Sequence, residues 1–204
     1  MSNQHNNGIA DAFPGALPHP DGASNEDKRR ARAAQDLALP QTVNEFKSLA
    51  PAELFTTARL LEIHRRIFGA ADPAAGRLRD RPIRLAWHIP PQQTAAELER
   101  ALRGYCDDCL TRVKLTAQKP AALAALLGFA FWKLVYIAPF ADGNGRVAHA
   151  VIQILQAAHG RAPAALYERG RVDYPRFLDT LRAYDAGNAT PFFDLLRREL
   201  GLEG

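Results

Sequence analysis

The stretch PAALAALLGFAFWKLVYI (Pro120–Ile137) followed at once by APFADGNGR (Ala138–Arg146) decides how this chain folds. The first part is apolar on nearly every side, broken only by Lys133. A helix of that kind is buried all round, so it is expected to run through the centre of a helical domain. Lys133 also makes the run a poor membrane span, and no other run comes nearer to that length. The second part is a turn that opens the next helix, expected over about 145–158 and stopped by Gly160.

A helix that starts on such a turn is a ready anion site, because its first N–H groups lack internal partners and carry partial positive charge. Glycine at 143 and 145 lets the backbone turn tightly and approach a phosphate. Arg146 on the first helical turn can fork two phosphate oxygens. Asp142 supplies a hard oxygen ligand where Mg²⁺ accompanies phosphate. Taken alone, Asp142-Gly143-Asn144-Gly145 also spells an ordinary exposed turn. Its position between two apolar helices is what favours the anion site.

Outward from this centre the pattern stays helical. Pro51 suits a first helical position, and Leu54, Ala58, Leu61, Arg65 and Phe68 follow at helical spacing up to Gly69. Thr94 and Glu97 form a capping box for a helix to about Leu115. Asp173-Tyr174-Pro175 and Thr190-Pro191 open the last two helices. One segment breaks the rule: Ile83, Leu85, Trp87 and Ile89 alternate with Arg84, Ala86 and His88, the period of a strand. Bounded by Pro82 and Pro90-Pro91, it is expected to belong to a small hairpin. Residues 1–44 are rich in small and polar side chains and are expected to be a mobile tail, leaving one domain over 45–204.

The 26 basic and 22 acidic residues leave a net charge of +4, scattered in Arg-Arg pairs within the predicted helices. Nucleic-acid binding needs a concentrated basic stripe, so it is not expected. Cys106 and Cys109 share a C-x-x-C spacing without a second ligand pair or a redox-type strand, and read as two ordinary helix cysteines. The N-terminus lacks the order of a secretory signal. These features suit a cytoplasmic protein, or an effector that is secreted and acts in a host cytoplasm.

The loop resembles the motif of the Fic (Fido) family, His-Pro-Phe-x-Asp/Glu-Gly-Asn-Gly-Arg-x-x-Arg, through Pro139, Phe140, Asp142, Gly143, Asn144, Gly145 and Arg146. The helix with Leu61, His64 and Phe68, the Gly76-Arg77-Leu78-Arg79 stretch and residues 174–200 also look like their family counterparts. The resemblance implies a mainly α fold, a bundle of about eight helices with a small β-hairpin flap. Its chemistry is transfer of AMP from ATP to a hydroxyl side chain of a target protein. Asp142 would then hold Mg²⁺, the backbone at Gly143, Asn144 and Gly145 would receive the phosphates, and Arg146 would neutralise departing pyrophosphate. Glycine at 145, where relatives that phosphorylate have lysine, favours AMP transfer. The flap, with Ile83, Leu85 and Trp87, would dock an extended segment of the target by edge pairing.

Two positions depart from the motif. Ala138 stands where the family has its general-base histidine, so the chain is expected to be inactive or very weak as a transferase. A deliberate inactivation and a natural pseudoenzyme, an ATP-binding regulatory or interaction protein, both account for it. His149 replaces the second arginine, leaving a weaker and pH-dependent γ-phosphate contact or a solvent-facing helical residue. The family's inhibitory pattern Ser/Thr-x-x-x-Glu-Gly/Asn is absent from these residues, so an inhibitor is expected to be a separate antitoxin-like protein, if there is one.

Overall fold

The computed structural model describes residues 24–118, 122–164, 166 and 174–202, without the side chains of residues 28, 117 and 118. These form eight helices: α1 (Asn25–Phe46), α2 (Pro51–Leu54), α3 (Thr57–Phe68), α4 (Ala95–Gln118), α5 (Leu123–Ile137), α6 (Asn144–Ala158), α7 (Tyr174–Asp185) and α8 (Thr190–Glu199). The apolar α5 is the axis, packed against α4, α6 and α8, while α1 lies on α3 and α6. Leu126, Leu127, Ala130, Phe131 and Leu134 of α5 meet Val147, Val151 and Leu155 of α6 in one core. No described helix is long and apolar enough to cross a membrane.

Some of the expected caps form, though not at α8, whose N-cap is Ala189 and not Thr190. Thr94 and Glu97 exchange hydrogen bonds at the start of α4, and Gly69 ends α3. Of the other expected start signals, Pro51 opens α2, Thr190 is the first residue of α8, and Pro120 and Asp173 lie outside the described residues.

Two expectations are corrected. The boundary drawn at residue 45 falls inside α1, which begins at Ser24 with a capping box closed by Asp27. This helix is no loose tail: Val43 and Phe46 are buried in the core. Its apolar residues are too sparse to show a stripe, and Pro40 lies within it, so its helicity rests on the cap and on packing.

The other correction concerns residues 83–89, which hold no strand. Their backbone makes a tight turn in which the Leu85 N–H donates to the His88 carbonyl. A strand needs a neighbour to complete its ladder, and the described residues provide none. Packing breaks the alternation too. His88, expected outside, is stacked between Trp87 and Tyr136, whereas Ile89 is 61% exposed. Leu85, Ala86 and Trp87 lean on the core. Arg182 of α7 donates to the Ala86 carbonyl, and His88 Nδ1 lies 3.5 Å from an Asp185 carboxylate oxygen.

Candidate functional site

Ala138 ends α5 in the left-handed backbone region, with φ 46° and ψ 64°, while its N–H still donates to the Leu134 carbonyl. Few residues other than glycine adopt this conformation, and histidine is among those enriched there. The chain then turns back through Pro139 and Phe140 to the N-terminus of α6.

Asn144 builds that turn. Its side-chain oxygen accepts from the Phe140 N–H at 3.0 Å and its amide donates to the Phe140 carbonyl at 2.9 Å. The residue is buried, so these bonds satisfy groups that would otherwise be stranded away from water. Gly143 caps α6 at φ 79°, and its N–H donates to Asp142 Oδ1 at 2.6 Å. A methyl group on Gly143 would sit 2.3 Å from the Phe68 ring, so both the conformation and the contact require glycine. At Gly145 an added Cβ would meet nothing within 4 Å. The two glycines therefore differ: one is needed by the fold, and the other leaves open space in front of the helix. The first intrahelical bond runs from the Val147 N–H to the Gly143 carbonyl, so the Asn144 and Gly145 N–H groups belong to the orphan donors of a helix start.

His64 supports this loop from below. The Gly76 N–H donates to its Nδ1 at 2.8 Å, which leaves Nε2 to donate to the Asp142 carbonyl at 3.1 Å. Its ring is stacked between Phe68 and Phe140, with centroids 4.7 and 4.0 Å away. Accepting at Nδ1 needs the neutral ring, and burial holds its pKa below the ordinary value despite the Asp142 carbonyl. His64 is a strut.

Arg146 lies over the Phe68 ring at 5.1 Å and donates to the side-chain oxygen of Gln35 in α1. Its guanidinium is thus held at the mouth of the helix N-terminus by a residue from a helix the sequence did not reveal. Asp142 is partly exposed beside it. Among the described residues no cluster of three or more His, Cys, Asp or Glu could cage a metal. One carboxylate beside a phosphate site fits Mg²⁺, which is held by one or two carboxylates, substrate phosphates and water.

His149 is neither a surface residue nor a cation. It is buried on the inner face of α6, edge-on to Phe131 at 4.9 Å, with Nδ1 2.9 Å from the Gly145 carbonyl. Burial pushes its pKa down to about 4, the carbonyl opposing this only in part. At neutral pH it brings no charge to a phosphate. The solvent-facing alternative is the one overturned, because sequence spacing gives the face of a helix but not the depth at which it lies.

The buried neutral form has a consequence for stability. In the unfolded chain the imidazole takes up a proton near pH 6.5, and in the folded chain only near 4. The unfolded state therefore binds more protons between these values, so stability is full above pH 6.5 and declines as pH falls towards 4. From pH 6.5 to 5 the loss is about 2 kcal/mol at 1.36 kcal/mol per unit, or about 4–8 °C in Tm. Thermal melts of His149→Gln, which keeps a donor for Gly145, are expected to lose most of this slope. An unchanged slope would show that other groups carry it.

Sequence reasoning missed Gln35 and Arg79. Arg79 is buried and its side chain binds three backbone carbonyls, those of Ala138, Arg81 and Pro91. Only its place in the Gly76–Arg79 stretch hinted at a role.

A model of the Fic/DOC family matches residues 54–156. The chain belongs to the Fic/DOC family. It is 32% identical over 148 residues to a protein adenylyltransferase Fic of Nematostella vectensis, covering 72% of this chain and 33% of that protein. A protein of the same description from Drosophila willistoni is 31% identical over 167 residues, covering 81% of this chain and 31% of its own length. The chain thus spans about a third of the length of these curated relatives. Among solved structures, Fic-1 of C. elegans superposes with a TM-score of 0.65 at 22% identity, covering 89% of this chain and 51% of that one. The effector BepC of Bartonella tribocorum, solved with bound AMPPNP, gives 0.65 at 18% identity, covering 84% and 86%. These two likenesses establish the fold.

Proposed function

We propose that this Fic domain binds Mg-ATP and is built to transfer AMP to a hydroxyl side chain of a target protein, with the transfer disabled by Ala138. The observation that carries the reading is the loop from Asp142 to Arg146: Gly143 pressed on Phe68, the α6 N-terminus behind it and Arg146 poised beside it. Relatives named protein adenylyltransferase support the same chemistry.

In this reading the hydroxyl oxygen of the target attacks the α-phosphorus of ATP. A new P–O bond forms, the bond to the α–β bridging oxygen breaks, and pyrophosphate leaves. The α6 N-terminal amides and Arg146 face the charge that develops on the leaving group, an arrangement that stabilises the transition state without reorganisation. Bound Mg²⁺ would offset phosphate charge next to Asp142. The hydroxyl proton needs an acceptor, and the methyl group of Ala138 is none. The target is expected to approach along residues 83–89, where Ile89 is the exposed apolar side chain and where Ile83, Leu85 and Trp87 flank the turn.

Nucleotide binding does not need the base, so the chain as it stands should bind Mg-ATP. Titration calorimetry is expected to show this, and Arg146→Ala to weaken binding by about 1.5–3 kcal/mol, the range of a charge-assisted hydrogen bond. No heat at millimolar ATP would overturn the nucleotide reading.

A further inference from the structure

Arg79 is 3% exposed, and everything it binds is backbone. Its N–H donates to the Pro139 carbonyl at 2.8 Å, and Nε to the Ala138 carbonyl at 2.8 Å. Nη1 donates to the Arg81 carbonyl at 3.3 Å and Nη2 to the Pro91 carbonyl at 2.9 Å. One planar guanidinium therefore grips the residue that ends α5 and both ends of the segment 81–91. Burial lowers its pKa, yet a guanidinium stays charged. A charge enclosed this way is tolerable because carbonyl oxygens surround it.

The nucleotide loop has its own supports. Asn144 closes it on Phe140, His64 holds the Asp142 carbonyl, and Gln35 holds Arg146. None of these three hydrogen bonds involves the segment 81–91. Its tip is fixed instead to α7, through Arg182 and Asp185. The fold thus separates a phosphate-holding unit from the segment beside it, and Arg79 joins the base of that segment to residue 138.

We infer that Arg79 is a positioning residue that sets the distance between the segment 81–91 and the backbone of residue 138, and so aligns a target hydroxyl with the proton acceptor belonging there. This rests on the transferase reading. A base must lie within hydrogen-bond reach of the proton it removes, and an error of about 1 Å in such a geometry can lower a rate about 10²-fold. A lysine ammonium is a single point of attachment without the flat fork, so it cannot hold carbonyls on both sides at once.

Two measurements test the inference. In the chain as it exists, Arg79→Lys is expected to speed amide hydrogen exchange within 81–91, at Leu85 above all, with exchange at Asn144 and Gly145 and the Kd for Mg-ATP unchanged within about 2-fold. In an Ala138→His background, the same change is expected to lower transfer of labelled AMP to the proteins of a cell lysate by about 10²-fold, again at unchanged ATP affinity. A purely structural arginine would instead lose ATP binding, transfer and Tm together, and that result overturns the inference. So does an Arg79→Lys protein with unaltered exchange, or with the transfer rate of its parent. Arg79→Gln serves as a second variant, and failure of both to unfold cooperatively would make Arg79 a folding requirement and end the proposal. If Ala138→His alone transfers nothing while binding ATP, the transferase reading has failed, and hydrogen exchange still decides whether Arg79 is the tether.

Discussion

Replacing Ala138 with histidine is expected to switch on transfer of labelled AMP from ATP to protein, with a gain of about 10²–10⁴ in rate, the range of a positioned general base. The backbone is already in the conformation such a residue would occupy, left-handed at φ 46°, where histidine is better represented than alanine. An imidazole with a pKa near the working pH can accept the hydroxyl proton as the oxygen attacks. Ala138 is fully buried, so the larger side chain is also expected to lower stability by about 1–3 kcal/mol through overpacking. Ala138→Gln has a similar reach without the basicity and should stay silent. Incubation of each variant with α-labelled ATP and a cell lysate, followed by counting label on protein, makes the comparison. Label in the histidine variant alone supports a disabled transferase. A folded, ATP-binding histidine variant that leaves no label favours a nucleotide-sensing protein.

Gly143→Ala should be the most damaging small change in the loop. It forces a side chain into φ 79° and brings a methyl group to 2.3 Å from Phe68. Strain of this kind costs on the order of 1–3 kcal/mol, and steric overlap with a core ring adds to it. A fall in Tm of about 4–12 °C follows, together with a loss of ATP affinity of about 10-fold or more as the α6 N-terminus shifts. Gly145→Ala makes the instructive partner. Its methyl group meets nothing, and alanine suits a helix better by up to about 1 kcal/mol, so Tm should hold or rise. Its ATP affinity should still fall, because the space it fills is where phosphate would approach. If the two variants melt alike, the distinction drawn between these glycines is wrong.

Much of this architecture could be read in advance because it is written in local terms. The α5 run is apolar on every side, and Thr94 with Glu97 spells its own cap. The loop 139–146 combines turn residues with a following helix, which gave both the family resemblance and the anion site. Other features depend on what lies across the fold. The alternation in 83–89 has the right period for a strand, yet a ladder requires a neighbour that no local pattern can report. His149 occupies a helical face whose depth is set by Phe131 on another helix. Arg79 and Gln35 resemble any surface polar residue until their partners arrive. The helix at 25–44 poses the same problem: with no clear apolar stripe, it is recognised by what it packs against.

That helix also constrains how the molecule is made. Gln35 and its partner Arg146 are separated by 111 residues, and among the described helices α1 packs mainly on α3 and α6. At a synthesis rate of about 5–20 residues per second, roughly 6–22 s pass between the emergence of the two partners. During that wait α1 can rest on α3, whose Arg59 and Arg66 lie over the Phe46 ring, but it lacks α6. Its capped, heavily charged first turns, with Glu26, Asp27, Arg29 and Arg30, suit a segment that must stay dissolved on the ribosome. The arginine of the nucleotide loop meets its α1 partner only once α6 has been made, so a nascent chain that stops short of α6 cannot form a finished site.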